Sequence, residues 1–137
     1  MLDVSVRAGI LNVMRDVHAT MGLTAVYISH DFALVRYVCA RTVVMYLGKI
    51  VEDGPSADVV ERPQHPYTKA LVQAVPVPDV NQSRAPLPIK GSLSASQAPV
   101  GGCRFRDRCP YAFERCASEE PPMREIAPGH KAACHLL

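Results

Sequence analysis

Apolar residues recur in the first part of the chain with the periods of helices and strands. Between Val6 and Met21 they fall at spacings of three and four, which predicts one apolar face on a helix that Gly22 ends. Residues 24–29 are β-prone without alternation, which is typical of a strand buried on both faces of a parallel sheet. Asp31 is placed to cap a short helix that runs to about residue 38.

The pattern then predicts a hairpin and two more helices. The elements are, in order, a strand over 42–47, a turn at 48–49, a return strand over 50–52, a helix that Ser56 caps and that ends before Pro63, and a helix over 67–74 with Pro66 in its first turn. The order α-β-α-β-β-α-α predicts the back half of an α/β domain, with most of a parallel sheet missing.

Composition divides the chain into three zones. Residues 1–75 are apolar and periodic, 76–100 are rich in Pro, Ser, Ala and Gln and predict a linker, and 101–137 contain four of the five cysteines. Hydrophobic residues make up 48% of the chain, and its formal net charge of +2 favours no particular partner. No apolar run approaches the roughly 18 residues that span a bilayer, and no secretory signal is visible, so we expect a cytoplasmic chain.

His30 directly follows the predicted buried strand. Ligands of open α/β sheets bind beyond the carboxyl ends of the strands, where a histidine can donate a hydrogen bond to a phosphate oxygen. Taken alone, the residue fits better as a partly buried histidine that hydrogen-bonds to nearby backbone.

The cysteines of the last zone have the spacing C-x5-C-x6-C-x17-C, at Cys103, Cys109, Cys116 and Cys134. In a reducing compartment such a set favours metal over disulfides. Four thiolates suit tetrahedral zinc or an iron–sulfur cluster. Zinc sites usually use closer pairs, although His130 and His135 offer further zinc ligands, and a tail without metal is the third alternative. Cys39 lies far from this set and is expected to be a small buried hydrophobe.

Arginines and aromatic residues alternate in the same zone, a composition that also occurs in single-strand RNA binders. The zone carries six Lys and Arg against five Asp and Glu, so its charge is nearly balanced. We therefore expect no nucleic-acid partner, and expect the arginines to pair with local carboxylates or to donate to cluster sulfurs.

Five segments together resemble one protein family, the ATP-binding subunits of oligopeptide and dipeptide ABC transporters. They are LDVSVR at 2–7, which is similar to the D-loop; YISHD at 27–31, similar to the switch-histidine motif; VMYLGKIVEDG at 44–54, the following hairpin; HPYTKAL at 65–71; and the cysteine-rich tail. The resemblance implies the C-terminal part of an ABC-ATPase nucleotide-binding domain over 1–75, a linker over 76–100 and a small metal-binding extension over 101–137.

The resemblance also implies a function. The intact protein would couple ATP binding and hydrolysis to peptide uptake, with ATP and Mg²⁺ held between two ATPase subunits on the cytoplasmic face of the membrane, against transmembrane permease subunits. His30 would contact the γ-phosphate and the attacking water, and Asp3 would lie at the nucleotide and dimer interface, where it can also cap a helix. The four cysteines would hold a 4Fe–4S cluster, with zinc as the alternative.

The sequence lacks three parts of the family's catalytic machinery: the phosphate loop G-x-x-x-x-G-K-[ST], the signature motif and the acidic pair for magnesium. Phosphoryl transfer depends on those groups for positioning and electrostatic stabilisation, so we expect these 137 residues to be inactive as an ATPase on their own. The alternative function is a stand-alone metal-binding or nucleic-acid-binding module.

Overall fold

The computed structural model describes residues 4–75, 88–90, 99 and 101–137. Its elements are the helices α1 (Val4–Met21), α2 (Phe32–Val38), α3 (Ser56–Glu61), α4 (Pro66–Ala74) and α5 (Glu114–Ser118), a 3-10 helix (Arg106–Arg108), and the strands β1 (Arg41–Tyr46), β2 (Lys49–Pro55), β3 (Arg124–Ala127) and β4 (His130–Ala132). Within these ranges, no helix has the length and hydropathy needed to cross a membrane.

The contacts divide the chain into two compact units, Met1–Cys39 and Ala40–Leu137. The smaller unit holds α1 and α2. Gly22 follows α1 with a φ of 61°, so the glycine predicted to end this helix takes the left-handed conformation that closes many helices. Asp31 caps α2 as predicted, because its carboxylate accepts from the amides of Ala33 and Leu34.

The predicted strand over residues 24–29 is wrong. The segment has no strand assignment, and Val26 and Ile28 are 89% and 98% exposed. A strand needs a neighbour that completes its hydrogen-bond ladder, and all the strands in the described ranges belong to a sheet of the other unit. Residues 24–29 therefore form no strand in this structure despite their β propensity.

The larger unit is built on a four-stranded antiparallel sheet in the order β1-β2-β4-β3. The hairpin of β1 and β2 confirms the prediction, although β2 is longer than predicted and the turn lies at Leu47 and Gly48, with φ of 45° and 78°. The described chain is thus a mixed helix and sheet structure. The parallel sheet expected from the sequence is not seen in these ranges, because the strands there pair only with antiparallel neighbours.

The cysteine-rich tail supplies half of that sheet. β4 pairs with β2 through Glu52 opposite Ala132, and the backbone N–H of Ala133 donates to Val51 at 2.9 Å. The division of the chain at 75 and 101 remains a prediction from composition. The contacts add that residues 40–75 and the tail share one core.

Phe105 of the tail lies at the centre of this core and is 1% exposed. Its ring is 5.1 Å from Tyr46 of β1, 5.4 Å from Tyr67 of α4 and 5.7 Å from His65, centroid to centroid. Aromatic pairs at such distances and tilted angles add to the free energy gained by burial alone. The core of the larger unit is therefore made jointly by the hairpin, α4 and the tail.

Candidate functional site

His30 lies in the turn between residues 24–29 and α2, with an exposed side chain. The residues on either side of it fix the turn. The backbone N–H of Asp31 donates to Ser29 Oγ at 3.0 Å, and Asp31 Oδ1 accepts from the amides of Ala33 and Leu34 at 3.0 and 3.2 Å. An exposed imidazole held on such a turn can donate a hydrogen bond to an anionic oxygen at the surface.

Asp3, the other residue predicted to act at the nucleotide, lies outside the described residues. Its role at the dimer interface, and its alternative role as a helix cap, stay predictions.

Two glycines and an arginine bring the first cysteine of the tail against the third. Gly102 has a φ of 64°, and a Cβ on it would lie 2.5 Å from the carbonyl oxygens of both Cys116 and Ala117. The chain can therefore approach α5 closely only with glycine at this position. The backbone N–H of Cys103 then donates to Cys116 O at 2.8 Å, and Arg106 Nη1 donates to the carbonyls of Gly101 and Ala117.

The other two cysteines come from opposite ends of the tail. Cys109 ends the 3-10 helix, which Lys90 flanks by donating its backbone N–H to Arg108 O at 2.9 Å. Cys134 follows β4 and is positioned by the pairing of β4 with β2. Cys109, Cys116 and Cys134 are buried, and Cys103 is half-buried.

Burial raises the pKa of three of the four thiols. Burial raises the pKa of Cys103, and the charges of Cys116, Cys134 and Cys109 raise it further. The pKa of Cys109 and that of Cys134 are raised mainly by burial as well, with smaller contributions from other cysteines of the set. Such thiols are protonated at neutral pH unless a cation stabilises their thiolates.

In the parts of the chain that the structure describes, no three His, Cys, Asp or Glu side chains are grouped closely enough to hold a metal ion. The two histidines considered as zinc ligands have other partners. His130 Nε2 lies 2.8 Å from Glu52 Oε1, and His135 Nε2 lies 3.0 Å from Glu119 O, while His135 Nδ1 is buried and has no hydrogen-bond partner within the described part of the chain.

Cys39 belongs to the smaller unit and lies at the end of α2. It is half-buried, and burial raises the pKa of its thiol.

A cleft of about 140 Å³ lies between β2 and the tail, and Cys103 is the one cysteine among its lining residues. Lys49 and Glu120, which also line it, form an ion pair with Nζ and Oε1 2.7 Å apart. The hydrogen bond from Lys49 lowers the pKa of Glu120. Arg104 donates to Leu47 O from the same lining, so the tail is fastened to the hairpin turn beside the cleft.

Sequence reasoning missed Glu52, which was seen only as part of a return strand. Its side chain is 0% exposed, accepts hydrogen bonds from the backbone amides of Gln64 and His65, and lies 2.8 Å from His130 Nε2. A glutamate directly after the apolar Ile50 and Val51 of a predicted strand was the available signal, but its partners are 12, 13 and 78 residues away along the chain.

Comparison with known proteins agrees with the motifs. Residues 51–116, from β2 to the third cysteine, match the family described as the oligopeptide/dipeptide transporter, C-terminal region. Residues 51–116 are therefore similar to the C-terminal region of this transporter family, and the resemblance to its ATP-binding subunits is confirmed.

Individual relatives extend the match to nearly the whole chain. A peptide import ATP-binding protein of Brucella ovis is 46% identical over 133 residues, which cover 97% of this chain and 42% of the relative. A peptide ABC transporter ATP-binding protein of Sinorhizobium fredii is 44% identical, covering 98% and 38%, and an oligopeptide transport ATP-binding protein of Bacillus subtilis is 41% identical, covering 98% and 42%. The chain thus spans about two fifths of the length of these relatives.

Proposed function

We propose that this chain is the C-terminal part of an ATP-binding subunit of an importer for oligopeptides or dipeptides. One observation carries the proposal: at least 97% of the chain is matched, at 41–46% identity, by proteins named for ATP binding in peptide transport. The intact subunit couples ATP binding and hydrolysis, with Mg²⁺, to peptide uptake. It works on the cytoplasmic face of the membrane with permease subunits and a second ATPase subunit.

His30 is the catalytic residue of this proposal. Its exposure and its place on a turn fixed by Ser29 and Asp31 suit a group that contacts the γ-phosphate and the attacking water. A hydrogen-bond donor aimed at developing charge contributes most in the transition state, and the loss of one such donor costs roughly 10²–10³-fold in turnover. Asp3 is proposed at the interface between the two ATPase subunits.

The test uses the longer protein that contains this segment. We expect His30→Ala to lower the steady-state rate of phosphate release roughly 10²–10³-fold and to leave ATP binding nearly unchanged. His18→Ala, which removes another exposed histidine of the same unit, is the matched control and should keep the normal rate. An unchanged rate for His30→Ala would remove His30 from the catalytic machinery.

We further propose that Cys103, Cys109, Cys116 and Cys134 hold a 4Fe–4S cluster, with zinc as the alternative. Zinc would need all four sulfurs about 2.3 Å from one point, whereas an iron–sulfur cluster is larger and holds its ligands farther apart. The backbone hydrogen bond from Cys103 N to Cys116 O at 2.8 Å brings two of the four cysteines close together, which supports a shared site. When bound, the metal would replace the thiol protons and hold the tail together.

Metal analysis after anaerobic purification tests this part. We expect iron and acid-labile sulfide in the wild-type chain, a lower content after replacement of any one of the four cysteines by serine, and no change in Cys39→Ser. Stoichiometric zinc without sulfide would favour the zinc alternative. A wild-type chain without any metal would refute both.

A further inference from the structure

A buried carboxylate joins three separate segments of the larger unit. Glu52 Oε1 accepts from the backbone N–H of Gln64 at 2.9 Å and lies 2.8 Å from His130 Nε2, and Glu52 Oε2 accepts from the backbone N–H of His65 at 2.9 Å. Glu52 is 0% exposed and His130 is 3% exposed. The hairpin, the segment that enters α4 and the tail therefore meet on one side chain that water does not reach.

These partners define the chemistry that position 52 requires. A carboxylate oxygen accepts hydrogen bonds, and in the tautomer that carries its proton on Nε2, His130 donates to Glu52 Oε1. Three donors converge on two oxygens, and all three are buried or half-buried. A glutamine at this position would turn an N–H toward at least one of these donors, which leaves a buried group without a partner.

The backbone of β2 is shaped for the same contact. A Cβ on Gly54 would lie 2.8 Å from His130 Cδ2 and 3.3 Å from His130 Cα, so only glycine lets the imidazole rest on the strand. Gly54 has no positive φ, and its requirement is therefore steric rather than conformational. Substitution of Gly54 displaces His130 without changing a donor or an acceptor.

The Glu52–His130 contact is connected to the segments that hold the first and the last cysteines of the set. His130 opens β4, which pairs with β2 at Glu52 and leads directly to Cys134. On the other side, Glu52 fixes the backbone of His65, whose ring packs on Phe105, between Cys103 and Cys109. The same carboxylate is thus connected to the strand before Cys134 and, through His65, to the segment between the first two cysteines.

We propose that Glu52 is the positioning residue of the cysteine tail, and that it acts through the N–H of His130 to fix the course of β4, which leads to Cys134. Metal uptake by the tail, which belongs to the proposed function, then depends on a residue of the hairpin that binds no metal itself. Gly54 also contributes to this positioning, because the absence of a side chain leaves room for the imidazole of His130.

The experiment measures the rate at which iodoacetamide alkylates each cysteine in the full, reduced and metal-free chain, resolved by mass spectrometry. We expect Glu52→Gln, Gly54→Ala and His130→Leu each to speed alkylation of Cys134 on the order of tenfold, since each removes a buried contact. His130→Gln keeps an N–H near the position of Nε2 and should restore a rate close to that of the wild type. Cys39, in the other unit, should react at its normal rate throughout.

Glu125→Gln and Gly9→Ala are the matched controls. Glu125 is an exposed glutamate of β3 that accepts from Gly129 N, and a Cβ on Gly9 meets nothing within 4 Å. Both variants should resemble the wild type. Acceleration in His130→Gln as large as in His130→Leu, acceleration of Cys39 together with Cys134, or no acceleration in Glu52→Gln would each overturn the proposal.

A second measurement separates this proposal from the proposed function. After anaerobic loading, the first three variants should lose metal to a chelator faster than the wild type, and His130→Gln should not. If the wild type takes up no metal, the metal function fails, and the alkylation rates alone decide the role of Glu52.

Discussion

Several of the best-buried side chains of the larger unit are polar. Glu52, His65, Thr68 and His130 are all less than 4% exposed. Three of them satisfy one another or nearby backbone, whereas the hydroxyl of Thr68 has no partner among the residues that the structure describes. Unsatisfied buried groups are costly, so the arrangement of the other three is strongly specified by their hydrogen bonds. This network contributes to the stability of the unit and makes it sensitive to protonation.

His65 shows this sensitivity most directly. Burial, with a smaller contribution from Lys69, lowers its pKa from 6.5 to about 4, and its neutral Nδ1 accepts from Tyr67 N as the cap of α4. Because the unfolded chain binds this proton more tightly, the contribution of His65 to stability is full above pH 6.5 and is lost as the pH falls toward 4. The loss is on the order of 3 kcal/mol.

Thermal melts between pH 7 and pH 4 check this prediction. His65→Asn keeps a capping side chain but does not titrate in this range, so the melting temperature of the variant should fall less over that interval than that of the wild type. Parallel curves for the two proteins would contradict the lowered pKa.

Among the elements, the hairpin of β1 and β2 has a turn in which one residue has a strained backbone conformation. Both residues of its turn have positive φ, at 45° for Leu47 and 78° for Gly48. This is the conformation of a two-residue turn that matches the twist of antiparallel strands and strongly prefers Asn-Gly. Glycine takes it without strain, but leucine does not. The backbone of Leu47 has a further task, because its carbonyl accepts from Arg104 of the tail.

Leu47→Asn should therefore stabilise the larger unit. Asparagine tolerates the left-handed region better than leucine, and the backbone contact with Arg104 is kept, so we expect a gain of about 1 kcal/mol in the free energy of unfolding. Gly48→Ala should have the opposite sign, since alanine is strained at the φ of Gly48. Urea denaturation of both variants measures the two effects. A destabilised Leu47→Asn would show that the leucine side chain contributes more than its backbone strain costs.

At the scale of the whole molecule, the two units differ in how well they bury their apolar residues. On α1, Val6, Ile10, Val13 and Val17 lie along the predicted apolar face, yet each is more than 40% exposed. In the larger unit, Val44, Tyr46, Val51, Val59 and Phe105 are each less than 8% exposed. Protection against local opening should follow the same division, because regions with few buried contacts open at little cost in free energy.

Limited proteolysis with chymotrypsin checks this division. We expect the first cut after Tyr27, in the segment without helix or strand, while Tyr46, Tyr67 and Phe105 of the shared aromatic core resist. Residues 76–100 contain no aromatic residue, so they do not compete for this cleavage. Early cleavage at Tyr46 or Phe105 would contradict a stable larger unit.

The sequence by itself determined the features that depend on neighbours along the chain. The period of α1, its end at Gly22, the Asp31 cap, the hairpin and α4 were all predicted, because helical faces, caps and tight turns are set within a few residues. The resemblance to the transporter family was also visible in the sequence, since its motifs are short and occur in a fixed order. His30 and the four cysteines remain predictions as functional residues.

Only the tertiary structure decided the features that depend on distant partners. Residues 24–29 have β propensity, but a strand forms only where another strand supplies its hydrogen bonds. β3 and β4 have four and three residues, too few for alternation to be recognised, and they exist because β2 pairs with β4. The carboxylate of Glu52 is buried because His130, 78 residues away, and two backbone amides satisfy it. A local pattern contains no information about such partners, so the joining of the tail to the hairpin could be learned only from the fold.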